Sequence, residues 1–109
     1  MAKSINQVIL MGRLTRDPEL RTTPNGKSVA NFCLAVDKYG QDSGADFFEI
    51  VVWEKLAELV NQYLTKGRRC LVQGRLTQRQ WEQEGQKRSR IEVVANDITF
   101  LDSSQSGTS

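Results

Sequence analysis

The chain has 109 residues, enough for one small domain with a modest core and too few for a second. With 39% apolar and 26% charged residues it has the make-up of a folded globular protein rather than a disordered one, and a net charge of +2 points to no polyanionic partner through total charge alone. It holds no histidine and two cysteines, which removes the commonest general base and the Ser-His and Cys-His nucleophile pairs, and leaves too few ligands for the usual four-ligand zinc site.

The beginning, Met1-Ala2-Lys3-Ser4-Ile5-Asn6, lacks the apolar stretch of a secretory signal, and no apolar run approaches the roughly 20 residues of a membrane helix. A cytoplasmic protein with no membrane partner is expected. Residues 7–14 (QVILMGRL) read as a strand with apolar residues on both faces, Gly12 marking a bulge or a close approach of backbone. Asp17-Pro18 breaks it, a short extended piece follows over 19–22, and Pro24-Asn25-Gly26 is a strong turn signal because Asn and Gly tolerate positive φ. Residues 28–37 alternate, with Ala30, Phe32, Leu34 and Val36 on one face and Val29, Asn31, Cys33, Ala35 and Asp37 on the other. Cys33 and Cys70, each in an apolar strand-like run, are expected to be reduced core thiols.

The polar segment 38–45 (KYGQDSGA) predicts a mobile loop carrying one aromatic, Tyr39. Residues 46–53 resume as a strand with Phe48, Ile50 and Val52 on one side and Phe47, Glu49, Val51 and Trp53 on the other. Aromatics on both sides imply that one face leaves its rings outside. The spacing of Leu56, Leu59, Val60, Tyr63 and Leu64 predicts a helix over 55–66, its apolar stripe in the core and Gly67 as its C-cap. A strand over 69–76, a polar hairpin arm over 77–90 turning near Glu84-Gly85-Gln86, and a closing strand over 91–101 complete the domain, 1–101, with Phe32 and Phe100 in its core. Residues 102–109 (DSSQSGTS) should be a disordered polar tail. Three main strands, one helix and two strands match an all-β, five-stranded oligonucleotide-binding (OB) barrel with its helix between the third and fourth strands.

The charge is unevenly placed. Between Lys66 and Arg90 there are eight basic residues (Lys66, Arg68, Arg69, Arg75, Arg79, Lys87, Arg88, Arg90) against Glu82 and Glu84 alone. Such a field attracts phosphate, although a solvated strand face carries Arg and Lys as well. Single-stranded nucleic acid presents a charged backbone and bare base faces, so its binder needs cations interleaved with exposed aromatics. Tyr39, Phe47, Trp53 and Trp81 are the candidate stacking rings. Phe47 and Trp53 could instead be barrel core; Trp81, among Gln78, Arg79, Gln80, Glu82 and Gln83, has nothing nearby to bury it unless a ligand or another subunit does so.

From Ile5 to Leu101 the sequence resembles the bacterial-type single-stranded DNA-binding proteins. The resemblance rests on the order and spacing of NQVILMGRL, Asp17-Pro18-Glu19-Leu20-Arg21, Pro24-Asn25-Gly26, VANFCLAV, FFEIVVWEKLAE, Tyr63-Leu64-Thr65-Lys66-Gly67, Gly74-Arg75-Leu76 and Gln80-Trp81. It implies a homotetramer, a dimer of dimers paired through residues 6–11, that binds single-stranded DNA with little sequence preference during replication, recombination and repair, without a cofactor. It puts stacking on Phe47, Trp53 and Trp81, with Tyr39 as a fourth ring, and phosphate contacts on Arg21, Lys55, Lys66 and Arg79, to which Lys38 and Arg75 are added as local guesses. Such proteins recruit replication and repair enzymes through an acidic tip, and that partner class is expected here only if an acidic tail exists beyond Ser109. Two other readings stay open on residues alone: an OB module for RNA or for a primosome, and an adaptor whose aromatics form a protein interface.

Overall fold

The computed structural model describes residues 4–40 and 44–101. The expected disordered tail over 102–109 lies outside them, as does part of the loop after Tyr39. Six strands and one helix follow in order: β1 (Val8–Leu14), β2 (Glu19–Thr22), β3 (Ser28–Asp37), β4 (Ala45–Trp53), α1 (Glu54–Tyr63), β5 (Arg69–Gln83) and β6 (Gln86–Phe100). The segment read as a short extended piece is a full strand, because Glu19 to Thr22 pair with Asn31 to Ser28 of β3. The helix therefore falls between β4 and β5 rather than between a third and a fourth strand.

The sheet runs β1-β5-β6-β4-β3-β2, and a second pairing of β1 with β3, Arg13 to Ala35 and Leu14 to Leu34, closes five of the strands into a ring with β2 outside it. Alternation decides what fills the ring. Ala30, Phe32 and Leu34 of β3 face inward with Ile50 and Val52 of β4, joined by Leu14, Cys70, Val72, Val93 and Ile98. Cys70 is thus a core residue as expected, whereas Cys33 is half-buried on the outward row of β3.

Ala57, Val60 and Leu64 of the α1 segment pack into this core, with Leu56 against its rim. The predicted stripe was one row too wide. Leu59 and Tyr63 lie on the neighbouring row and are exposed, and Tyr63 packs on Phe100 at a centroid distance of 5.9 Å. Phe100, expected in the core, is also exposed, because it ends β6 beyond the last inward position, Ile98. Gly67 does not cap the helix. Leu64 already has extended backbone, φ -105° and ψ 138°, and Gly67 sits in the next turn with its amide donating to the Leu14 carbonyl. Among the described residues no helix is long and apolar enough to cross a membrane.

The largest departure from the sequence reading is the length of the last two strands. β5 and β6 form one antiparallel ribbon, continuous apart from a bulge at Gln73/Gly74, whose far half is the polar arm. Its turn, Glu84-Gly85, has φ of 52° and 79°, the positive pair that matches the twist of a two-residue hairpin.

Candidate nucleic-acid interface

Pairing register places the outward side chains. On β4 the outward row is Phe47, Glu49, Val51 and Trp53, opposite Ala35, Cys33, Asn31 and Val29 of β3. Phe47 is 64% exposed and Trp53 42%, which settles their alternative reading as barrel core. Six residues apart on one strand, the two positions lie about 20 Å from each other along the backbone at the ordinary rise of about 3.3 Å per residue. Arg21 of β2 pairs with Val29, which pairs with Trp53, so cation and indole flank the same valine on one face.

The face continues across the sheet. Val51 pairs with Val94 of β6, and Val94 with Arg75 of β5; further out along the ribbon come the pairs Thr77-Glu92, Arg79-Arg90 and Trp81-Arg88 on the same side. Arg75 donates to Asn96 Oδ1 at 3.5 Å. Trp81 is half-buried rather than open, contrary to the sequence reading. The guanidinium carbons of Arg79 and Arg90 stand 5.6 and 5.7 Å from its ring centre, and a cleft of about 430 Å³ lies beside it, lined by Gln80, Glu82, Lys87, Arg88 and Ser89.

The remaining candidates are less concentrated. Lys55, exposed, follows Trp53 by two residues at the start of α1. Lys66 is exposed in the turn after the helix, where its amide donates to Asp17 Oδ1 at 2.8 Å. Lys38 Nζ lies 2.6 Å from Asp46 Oδ1, so any phosphate contact competes with an existing ion pair. Tyr39 is 97% exposed but lines a different concavity, a groove of about 1050 Å³ shared with Ile9, Met11, Arg13 and Lys38. The structure thus gathers Phe47, Trp53, Trp81, Arg21, Arg75 and Arg79 on one face and leaves Tyr39, Lys38 and Lys66 off it.

Comparison with known proteins bears on what such a face is for. The family model for the single-strand binding protein family matches residues 5–101. The chain belongs to this family. Proteins described as single-stranded DNA-binding proteins from Treponema pallidum and Staphylococcus aureus are 43% and 52% identical to it, over 91% and 90% of this chain. The chain spans 59% and 66% of the length of those relatives. A solved Plasmodium falciparum SSB complex with ssDNA has the same fold, with a TM-score of 0.85 at 35% identity over 94% of this chain and 99% of that one. The resemblance read from the sequence is borne out at the level of the family and the fold.

This family member also carries polar residues on the face that sequence reasoning did not single out. Asn31 and Glu92 are buried, at 8% and 6% exposure, in the middle of the outward rows. Asn31 Nδ2 donates to Glu49 Oε2 at 3.3 Å, while Asn31 Oδ1 and Glu92 Oε2 have no hydrogen-bond partner. Counting alternate positions back from Val94 would have put Glu92 on this face, but only the register of the long ribbon shows that it is covered there.

Proposed function

We propose that this face binds single-stranded DNA without regard to sequence, protecting and organising it during replication, recombination and repair. The observation that carries the reading is the exposure of Phe47 and Trp53 on one row, flanked by Arg21 and continuous with the arginine-lined Trp81 arm. Each base stacked on an aromatic contributes about 1–3 kcal/mol, and rings accept any base because every base has a π-face. Phosphates would be met at the margins by Arg21, Lys55 and Arg75, with Arg79 held in reserve beside Trp81 and with Lys66, Lys38 and Tyr39 extending the path beyond the face. The reading needs no bond to be made or broken, and so no catalytic group or cofactor.

Assembly as a homotetramer belongs to the same proposal. Ile9 and Met11, 56% and 50% exposed on β1, support burial of that strand against a second copy. Light scattering should give the mass of four chains.

The test is an equilibrium titration of oligo-dT against indole emission at several salt concentrations. Quenching is expected, with log K falling against log[salt] at a slope of about -0.7 per phosphate neutralised. A flat salt dependence would favour the aromatic protein interface instead. A uridine homopolymer that competes as well as the thymidine one would favour the RNA-binding reading.

A further inference from the structure

We infer that Glu92 is a positioning residue, which in the free protein holds the Arg79 guanidinium against the Trp81 indole and so withholds it from phosphate. The inference rests on the single-stranded DNA reading above and adds to it a residue that sets how much of the arm's charge the strand can use.

Glu92 is the buried charged residue among the described residues, at 6% exposure. A carboxylate out of water costs several kcal/mol unless it is well paired. One oxygen of this carboxylate, Oε2, is paired poorly. Arg79 Nη1 stands 3.6 Å from its Oε2, within ion-pair range but too far for a hydrogen bond, and no other donor reaches that oxygen. A buried oxygen so incompletely compensated, on the face that carries the proposed stacking rings, calls for a functional explanation.

Arg79 supplies it, because the guanidinium that faces Glu92 also lies 5.6 Å from the Trp81 ring centre. Register explains how one side chain reaches both. Arg79 pairs with Arg90, the adjacent outward pair on one side is Thr77-Glu92 and on the other Trp81-Arg88, so Arg79 stands between the carboxylate and the indole. Its side chain is 57% exposed, hence free to swing to a phosphate. The swing would take from Glu92 Oε2 the cation that stands 3.6 Å away while leaving that oxygen buried. Glu92 therefore favours Arg79 on the ring over Arg79 on the strand, and the strand goes without this charge while the contact holds.

The test is Glu92→Gln, which keeps the shape of the side chain and removes its charge. With Arg79 released, oligo-dT should bind about two- to fivefold more tightly, the worth of one exposed ion pair. The salt slope should steepen by about 0.7, since one more phosphate is neutralised. Glu82→Gln, which removes an equal charge from the opposite side of the arm, should leave the slope unchanged. In an Arg79→Gln background, Glu92→Gln should have no further effect on affinity or slope; an undiminished gain there would show that Glu92 acts through its charge alone and would overturn the inference. So would weaker binding or an unchanged slope in the single variant. Should Glu92→Gln fail to fold, Arg79→Gln alone should leave the salt slope unchanged, because a guanidinium withheld from phosphate is not missed there; a slope flattened by about 0.7 would overturn the inference.

A readout without DNA separates this inference from the functional reading. With Trp53→Phe leaving Trp81 as the one indole, Glu92→Gln should alter the emission of the free protein as the guanidinium leaves the ring. Unaltered emission would sink the positioning role alone, whereas failure of the unmodified protein to bind DNA would sink the functional reading and the purpose given to the contact, even with the emission altered as expected.

Discussion

Replacing Phe47 and Trp53 together by alanine is expected to weaken oligo-dT binding by about 2–6 kcal/mol, the sum of two stacking platforms at about 1–3 kcal/mol each. The fold should tolerate it. Phe47 is 64% exposed and lies opposite Ala35, so its removal opens no cavity. Trp53 is 42% exposed and helps to cover Val29, its partner on β3, and the pair of substitutions should cost no more than about 1 kcal/mol of stability. Binding isotherms and thermal melts recorded on the same sample separate the two effects. Near-native affinity with a collapsed melting temperature would return both rings to the core and leave the face without its main source of binding energy.

The second large effect is expected at a glycine of β1. Gly12→Ala should destabilise the domain by about 3 kcal/mol, read as a shift of the denaturant midpoint. Gly12 is where β1 serves two neighbours, pairing with Cys70 of β5 just before Arg13 and Leu14 pair with β3. A Cβ there would run into the carbonyl oxygen and carbon of Ala35 and lie 3.2 Å from Leu34 Cγ. Backbone cannot step aside as the end of a flexible side chain can, so the added methyl must either distort the β1-β3 crossing or open it. Opening it undoes the ring, since that crossing is the closure. Gly74, at the bulge between β5 and β6, is constrained in the same way by the Val94 carbonyl. A wild-type midpoint for Gly12→Ala would mean that ring closure is looser than described.

Gly12 also shows what the sequence made legible. A glycine inside an apolar strand is unfavourable unless backbone must pass close by, and that reasoning finds the crossing without coordinates. The clean alternation of residues 28–37 and 46–53 likewise put Phe47 and Trp53 on the face opposite Phe48, and left to the structure which of the two faces is outward. Periodicity was less informative where an element ends. It could not tell that the covered row of α1 is Ala57-Val60-Leu64 while Leu59 and Tyr63 are left outside, nor that Phe100 lies beyond the last inward position of β6.

The arm was misread for a different reason. Around Trp81 the adjacent residues are polar, and local sequence offers nothing to cover an indole. Its cover comes partly from Arg90, nine residues on, which the Glu84-Gly85 turn brings back beside Arg79. Cross-strand pairs depend on register, and register depends on a turn whose two-residue length was not fixed by composition. Glu92 was missed on the same account. Lys38 illustrates the converse, since a basic residue next to an aromatic loop looks available for phosphate until Asp46 is found 2.6 Å away.

On this reading the DNA strand lies across the outward face of β4 and along the β5-β6 arm. Photo-cross-linking of an oligo-dT carrying 5-iododeoxyuridine at successive positions, followed by peptide mapping, tests it most directly. The expected adducts fall on Phe47, Trp53 and Trp81. Adducts confined to the groove between β1 and Tyr39, with none on those three rings, would contradict it.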